Sequence, residues 1–239
     1  RGHEHGAQLS APGSGLPSTG VAQCPLCLTA NARHLVTVDK RRYFACSACS
    51  SRFLDPRQPP TRSDEKREYD LHFNDVECPA YRRFLRTLFD PMKKVLAPAS
   101  SGLDYGCGPG PALGRMFTEE GHSVSLFDPI YDNERSVLER RYDFVTCTEA
   151  AEHFHRPHEE FSRLNRLLRP GGHLGIMTRF QTDDDRFGNW HYRRDPTHVV
   201  FYREDTMRWI ARRWGWSVDL KPPSVAIFRK RRTRVEGSA

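Results

Sequence analysis

The chain has 239 residues, of which 37% are hydrophobic and 28% carry a charge, so it is long enough for one full α/β domain and a small appendage. The mean hydropathy is −0.70, and no apolar run approaches the roughly 18 residues of a membrane span, which argues against such a span and predicts a soluble protein. The net charge of +7 favours an anionic partner such as nucleic acid but does not identify one.

Two C-x-x-C pairs, Cys24 with Cys27 and Cys46 with Cys49, lie near the N-terminus. Four thiolates at this spacing suit a closed tetrahedral Zn²⁺ site. Two short strand-like runs lie between the pairs, so we predict a zinc ribbon over residues 22–54, with the metal supplying folding energy that so short a segment lacks. A redox pair is the alternative. The ribbon's role stays open: it could bind nucleic acid, bind protein or cover a neighbouring site.

Three segments outside the predicted ribbon and the main domain have no periodic pattern of apolar residues. Residues 1–21 are rich in Gly, Ser, Pro and Ala and are predicted to be disordered, and the Pro-rich, charged residues 55–79 are predicted to be a linker. Residues 230–239 form a basic tail that is either solvated or grips phosphates. The three cysteines outside the pairs are scattered, which indicates small buried residues in a reducing, cytoplasmic environment.

Residues 80–229 are predicted to form one α/β domain. Hydrophobic periodicity and turn residues predict its elements in chain order: a helix over 81–96, a strand ending at residue 105, a helix over 111–120, strands over 122–127 and 142–147, a helix from 157, a strand over 173–178, a helix over 204–214, and closing strands over 216–220 and 224–229.

The domain is organised around the glycine turn at residues 103–110, which reads LDYGCGPG. Three glycines at alternate positions let the chain turn sharply and let a ligand lie against bare backbone. Pro111 stands where a dinucleotide fingerprint needs its third glycine. Asp104 would repel a pyrophosphate, so its carboxylate indicates a cofactor with a positive charge.

This turn resembles motif I of the class I S-adenosylmethionine (SAM) dependent methyltransferases, of the type 11, 12 and 23 groups, and the LLRPGG turn at residues 167–172 is a second resemblance. The resemblance implies a Rossmann-like, seven-stranded α/β sandwich. It also implies an acidic residue at the end of the second strand, and Asp128 there can accept the ribose hydroxyls. Few residues separate Asp128 from the next strand, so we predict a fold shortened after strand two, which leaves the adenine contacts unassigned. The residues predicted to bind the cofactor are Asp104, Tyr105, Gly106, Cys107, Gly108, Gly110, Asp128, Pro129 and Glu149.

An E-x-x-E-H group, Glu149, Glu152 and His153, follows the strand over 142–147. In a helical turn these positions share one face, so the side chains can converge. With His198 as a fourth ligand, they suit Mg²⁺ or Mn²⁺. The arrangement is similar to that of the small-RNA 3′-terminal 2′-O-methyltransferases and, more loosely, of the ubiquinone-pathway O-methyltransferases. In many related enzymes without a metal, the histidine only lines the pocket, and this alternative stays open.

The loop over 180–202 is long for a compact domain, which is typical of a functional segment. We expect it to form the substrate wall, with Trp190, Tyr192 and Tyr202 as candidate contacts. A hydroxyl nucleophile must lose a proton, and the candidate bases are His153, His191 and His198.

The sequence therefore predicts a SAM-dependent methyltransferase that most plausibly O-methylates a small hydroxylated or sugar-like metabolite. The alternative is an RNA methyltransferase that uses the ribbon and the basic surface, although no RRM or KH pattern is recognisable. A third hypothesis is a zinc-dependent binding module with an inactive fold; the complete glycine turn and Asp128 argue against it.

Overall fold

The computed structural model describes residues 20–71 and 74–232. The predicted disordered segment lies outside this part of the chain except for its last two positions, and the basic tail is described only as far as residue 232. The described strands are β1 (Val21–Ala22), β2 (Ala32–Val38), β3 (Arg41–Cys46), β4 (Arg52–Leu54), β5 (Ser101–Tyr105), β6 (Ser123–Phe127), β7 (Tyr142–Thr148), β8 (Leu168–Met177), β9 (Val200–Phe201), β10 (Trp216–Lys221) and β11 (Val225–Lys230).

The described α-helices are α1 (Arg62–Tyr69), α2 (Pro79–Lys93), α3 (Ala112–Glu119), α4 (Pro157–Leu167) and α5 (Glu204–Trp214). Short 3₁₀ turns lie at Arg135–Glu139, Ala151–His153, Phe187–Asn189 and His191–Arg194. Within residues 20–71 and 74–232, no helix combines the length and the apolar character needed to cross a bilayer.

Helix α1 lies inside the segment that the sequence predicts to be a linker, so that prediction is wrong over these residues. Thr61 begins the helix with a capping box, in which its side chain accepts from the Asp64 amide and the Asp64 carboxylate accepts from the Thr61 amide. Such reciprocal bonds satisfy two amides that a helix start otherwise leaves unpaired. The T-x-x-D pattern was a signal in the sequence, but α1 has almost no apolar stripe.

The central sheet has the order β10-β11-β8-β7-β5-β6. Strands β6, β5, β7 and β8 are parallel, and β11 and β10 close the sheet as an antiparallel hairpin. The predicted shortening after the second strand is confirmed, because a 3₁₀ turn at Arg135–Glu139 occupies the interval before β7. This shortening also explains why the described sheet has six strands where seven were predicted.

Helices cover both faces of the central sheet, as an α/β fold requires. On one face, α2 buries Leu85, Leu88 and Met92 against a cluster that includes Phe117 from α3 and Phe144 from β7. On the other face, α4 and α5 contribute to the larger core. Pro91 lies inside α2, which runs without interruption from Pro79 to Lys93.

A second sheet has the order β1-β2-β3-β4-β9. Its first four strands come from the predicted ribbon, whereas β9 belongs to the loop over 180–202, where a short strand was not predicted. Arg52 pairs with Phe201 and Phe53 pairs with Val200. The ribbon and the loop therefore share one sheet.

Candidate functional site

A cavity of about 930 Å³ opens at the carboxyl ends of the parallel strands β5, β6 and β7. Open α/β sheets bind their ligands at this edge. The cavity has two halves, which we name by their walls. The cofactor half is lined by residues 104–110 and 127–131, and the acceptor half is lined by α1, by residues 148–156 and by the loop residues His191, Tyr192, Asp195 and His198.

The residues predicted to bind the cofactor all line this cavity, namely Asp104, Tyr105, Gly106, Cys107, Gly108, Gly110, Asp128, Pro129 and Glu149. The glycine turn is fixed by strand β6, since the amides of Gly106 and Cys107 donate to the Phe127 carbonyl at 2.8 and 3.2 Å. Gly106 has φ of +78°, and a Cβ there would lie 2.6 Å from the Cβ of Ala150. Only glycine fits this position, so bare backbone faces the cavity.

Asp128 follows β6 and keeps an acceptor site available. Its Oδ1 accepts from the amides of Ile130 and Tyr131 at 2.8 and 3.0 Å, and its Oδ2 accepts from the Gly108 amide at 3.0 Å. A carboxylate has about four lone-pair sites, so three amides leave room for a hydroxyl donor from the cavity. The amides hold the carboxylate in place, and the arrangement fits the ribose of SAM.

Asp104 lines the cavity, and its carboxylate also accepts hydrogen bonds from within the protein. Its Oδ1 accepts from the Thr146 hydroxyl at 2.9 Å and its Oδ2 from the Gly114 amide at 3.2 Å. Burial raises the pKa of this carboxyl to about 6. Asp104 thus ties the glycine turn to α3 and β7, and its carboxylate is engaged from within the protein.

Glu149 and Glu152 share the hydroxyl of Tyr192, which lies 3.1 Å from Glu149 Oε2 and 2.5 Å from Glu152 Oε1. Burial, followed by the charge of Glu152, raises the pKa of Glu149 to about 8. The two carboxylates meet at one hydroxyl, and their mutual repulsion disfavours ionisation of both. The backbone of Glu149 has φ of +46°, an uncommon conformation for a residue other than glycine, and such strain clusters at functional sites.

His153 and His198 are oriented in the same way. Nδ1 of His153 lies 3.2 Å from the Thr197 carbonyl, and Nδ1 of His198 lies 2.6 Å from the Tyr192 carbonyl. A carbonyl only accepts, so in the neutral rings Nδ1 carries the proton and Nε2 carries the lone pair. Burial is the main cause that lowers the pKa of His153. In its neutral form, each imidazole can accept a proton at Nε2.

Of the four predicted metal ligands, the structure brings three together. Among the described residues, Glu152, His153 and His198 each offer an atom within 4.8 Å of the others, and Glu149 is outside this set. The expected helical face does not form, because residues Ala151–His153 make a 3₁₀ turn that begins after Glu149. His198 Nε2 lies 3.9 Å from Glu152 Oε1.

Two of the three predicted substrate contacts, Trp190 and Tyr202, are not among the residues that line the cavity. Tyr202 is fully buried and donates to the Ala151 carbonyl at 2.9 Å, because β9 directs this part of the loop into the core. Trp190 packs against Phe187 and Tyr192. The third predicted contact, Tyr192, lines the acceptor half. The predicted base His191 also lines this half and is exposed to solvent.

Helix α1 supplies cavity residues that the sequence did not reveal. The ring of Tyr69 meets the ring of His153 edge-on at 5.1 Å. Glu65 is buried and its Oε1 lies 2.7 Å from Nε2 of His155. Because the sequence reads as a linker here, its only signal was the capping pattern at Thr61.

The four paired cysteines converge as predicted. Sγ of Cys24 lies 3.6 Å from Sγ of Cys49, Sγ of Cys27 lies 3.5 Å from Sγ of Cys46, and all four atoms are within 4.8 Å of one another. Tetrahedral zinc bound at about 2.3 Å separates its sulfurs by about 3.8 Å. The donor set and its spacing fit zinc.

A doubly wound sheet with a glycine turn at its switch point and an acidic residue after the next strand occurs in dinucleotide-binding folds as well. The antiparallel hairpin that closes this sheet is the feature that resembles the class I SAM-dependent methyltransferases. A family profile described as "Methyltransferase domain" matches residues 72–221, which is more than half of the chain. The chain belongs to this methyltransferase family.

Relatives in sequence cover only part of the chain. The ubiquinone biosynthesis O-methyltransferase of Proteus mirabilis (strain HI4320) is 32% identical over 91 residues, which are 38% of this chain and 37% of the relative. That of Serratia proteamaculans (strain 568) is 31% identical over 78 residues, 33% of this chain and 32% of the relative. The chain thus matches about a third of the length of these curated relatives.

Solved structures share the fold at low identity. An O-methyltransferase family protein from Burkholderia thailandensis superposes with a TM-score of 0.50 at 16% identity, over 64% of this chain and 57% of that chain. The 1,6-didemethyltoxoflavin-N1-methyltransferase of the same organism, solved with 1,6-didemethyltoxoflavin and S-adenosylhomocysteine, gives 0.53 at 16% identity, over 84% of this chain and all of that chain. At such identities the likeness shows the fold.

Proposed function

We propose that this methyltransferase transfers a methyl group from SAM to a hydroxyl oxygen of a small metabolite. One observation carries the proposal: a single cavity joins the bare glycine turn and Asp128 to two histidines whose Nδ1 atoms lie against backbone carbonyls, which leaves Nε2 as the basic atom of each neutral ring. The first feature fits the cofactor, and the second fits a nucleophile that must lose a proton.

Each half of the cavity has its own task. SAM, when bound, supplies a methyl group on a positively charged sulfur. The glycine turn and Asp128 hold the ribose end, and the acceptor half holds the nucleophile in line with the methyl group. Most of the acceleration in such a displacement comes from this alignment.

His198 is the proposed general base. Its Nδ1 donates to the Tyr192 carbonyl, which turns Nε2 towards the carboxylates of Asp195 at 3.7 Å and Glu152 at 3.9 Å. When Nε2 takes the proton of the hydroxyl, the negative charges of these two carboxylates stabilise the imidazolium. The Tyr192 hydroxyl holds Glu152 in place. His153, whose ring centre is 4.7 Å from that of His198, completes the wall.

The same three residues also fit a divalent ion. The Oε2 atom of Glu152 is buried and has no hydrogen-bond partner among the described residues, and the donor atoms of His153 and His198 converge on this carboxylate. Such an ion would lower the pKa of an acceptor hydroxyl in place of the base. We favour the base, because one carboxylate and two imidazoles are a poor set for the hard Mg²⁺ ion.

Two observations support a small metabolite over RNA. The acceptor half is a concave wall of aromatic and imidazole rings under helix α1, which is typical of a small-molecule pocket. The curated relatives in sequence carry the name of O-methyltransferases. We also propose that Cys24, Cys27, Cys46 and Cys49 hold one structural zinc ion.

The test is to incubate the protein with SAM carrying a labelled methyl group and with two cellular fractions, purified RNA and a small-metabolite extract. We expect label in the metabolite fraction, in a product that resists mild alkali as an ether does. Label in RNA alone would overturn the proposal, and so would a labelled product in which the methyl group is on nitrogen.

A further inference from the structure

The ribbon reaches the acceptor half of the cavity through one continuous set of contacts. Strand β4 pairs with β9, and beyond this pair the Leu54 amide donates to the Val199 carbonyl at 2.8 Å. The Val199 amide then donates to the Glu152 carbonyl at 2.9 Å. Val199 directly follows His198. Strand β4 therefore fixes the backbone next to the proposed base, His198, and through Val199 the backbone of its partner Glu152.

Side chains reinforce this backbone connection. The guanidinium of Arg52 makes a two-point bond to Asp184, with Nε and Nη2 at 2.8 and 2.6 Å from the carboxylate oxygens. The Arg52 side chain is only 8% exposed and that of Asp184 is 36% exposed, so the pair is partly shielded from solvent. Arg41 donates to the Pro196 carbonyl at 2.8 Å, two residues before His198. These bonds hold the loop over 180–202 at two points, Asp184 and Pro196, on either side of Tyr192.

An aromatic cluster fills the space between the ribbon and the loop. Tyr43 of β3 meets Phe187 edge-on at 5.2 Å and Phe201 at 6.2 Å, and Tyr43 and Phe187 are fully buried. Trp190 and Tyr192 pack against this cluster. The cavity residue Tyr192 therefore packs against a cluster to which β3 contributes Tyr43.

The cysteines set the position of β3 and β4. Cys46 is the last residue of β3, Cys49 lies in the turn to β4, and the Cys46 amide donates to the Ser51 carbonyl at 2.9 Å. At the other pair, the Leu26 carbonyl lies 3.0 Å from Nδ1 of His158 in α4. An ion bound to all four thiolates would lock the turn between β3 and β4 against the methyltransferase domain.

We propose that metal occupancy of the four-cysteine site positions His198 and Tyr192, so that the ribbon is a positioning element for methyl transfer. The ribbon does this without contributing to the cofactor half, whose walls come from residues 104–110 and 127–131. The role of His198 as general base rests on the proposed function. The position of its ring, however, can be measured without a methyl-accepting substrate.

The experiment uses the full chain labelled with ¹⁵N-histidine. In the zinc-loaded protein, the Nδ1 protons of His153, His158 and His198 should give slowly exchanging NMR signals, because each lies against a carbonyl. The variants His153→Gln, His158→Gln and His198→Gln assign them. In Cys46→Ser we expect the His198 signal to vanish, while calorimetric affinity for S-adenosylhomocysteine stays within about threefold, since the cofactor half is built from other elements.

A second variant keeps the metal site complete. Arg52→Met removes the bonds to Asp184 and to the Ser50 carbonyl but leaves all four cysteines in place, so its zinc content should equal that of the unmodified protein. We expect a weakened His198 signal and a roughly tenfold to 100-fold lower rate of methyl transfer to the metabolite extract, since a misplacement of about 1 Å can cost 10²-fold. Arg33→Ala, at an exposed position of β2, is the matched control and should change neither reading.

Two results would overturn the proposal. One is an unchanged His198 signal in both Cys46→Ser and Arg52→Met. The other is a parallel loss of S-adenosylhomocysteine binding in Arg52→Met, which would show that the ribbon supports the whole domain and not the acceptor half. If the His198 signal responds as expected but no extract accepts a methyl group, the proposed function fails and the positioning inference stands.

Discussion

The two halves of the cavity are built in different ways. The cofactor half is local: Gly106, Gly108 and Asp128 sit at the ends of adjacent parallel strands, and short backbone bonds between β5 and β6 fix them. The acceptor half is assembled over long distances, from α1, the 3₁₀ turn at Ala151–His153 and a loop held by the ribbon. The cofactor half should therefore tolerate changes that disable the acceptor half.

The largest effect we expect comes from the acceptor half. His198→Gln keeps a side chain that can donate to the Tyr192 carbonyl but removes the Nε2 base, and should lower the rate of methyl transfer by about 10²–10⁴-fold. Initial rates with labelled SAM measure this. His34→Gln in the ribbon is the control for a histidine change as such, and a rate for His198→Gln equal to that of the control would remove His198 from the mechanism.

The next effect belongs to the cofactor half. Asp128→Ala removes the acceptor for the ribose and should weaken SAM binding by roughly 1.5–3 kcal/mol, which is about 10- to 150-fold. Isothermal titration calorimetry gives the dissociation constant. Asp219→Ala, an exposed carboxylate on β10, provides the comparison. An affinity for Asp128→Ala that matches the Asp219→Ala control is the result that refutes the ribose assignment.

A comparison of two glycines tests how closely the glycine turn is packed. Gly106→Ala combines a left-handed backbone with a Cβ 2.6 Å from Ala150, whereas Gly121→Ala has φ of +86° and open space. We expect losses in the free energy of unfolding of about 3 kcal/mol for Gly106→Ala and about 1 kcal/mol for Gly121→Ala. Urea unfolding measures both, and equal losses would show that the contact with Ala150 relaxes without penalty.

The smallest effect expected is that of chelation. A closed four-cysteine zinc site exchanges slowly, so brief EDTA treatment should leave zinc bound, and the base at His198 needs no other ion. The rate should therefore stay within about twofold of its starting value. Loss of activity at constant zinc content, with recovery in Mg²⁺ or Mn²⁺, would transfer the proton-removing role to a metal held by Glu152, His153 and His198.

The same contrast explains what the sequence could predict. Asp128 and the glycine turn follow strands with clear periodicity, so their place at the sheet edge could be derived residue by residue. The burial of Tyr202 could not be predicted, because nothing in the chain indicates that Val200 pairs with Phe53, which is far away in sequence. Helix α1 was missed because its charged residues form no apolar stripe, and its contact with His153 depends on tertiary packing.

The independence of the two halves is tested most directly by the SAM affinity of His198→Gln, measured by calorimetry beside the unmodified protein and Asp128→Ala. We predict a dissociation constant within about twofold of the unmodified value, because additivity holds for groups without shared partners. A loss of affinity as large as that of Asp128→Ala would contradict the account, since it would make His198 part of the cofactor half.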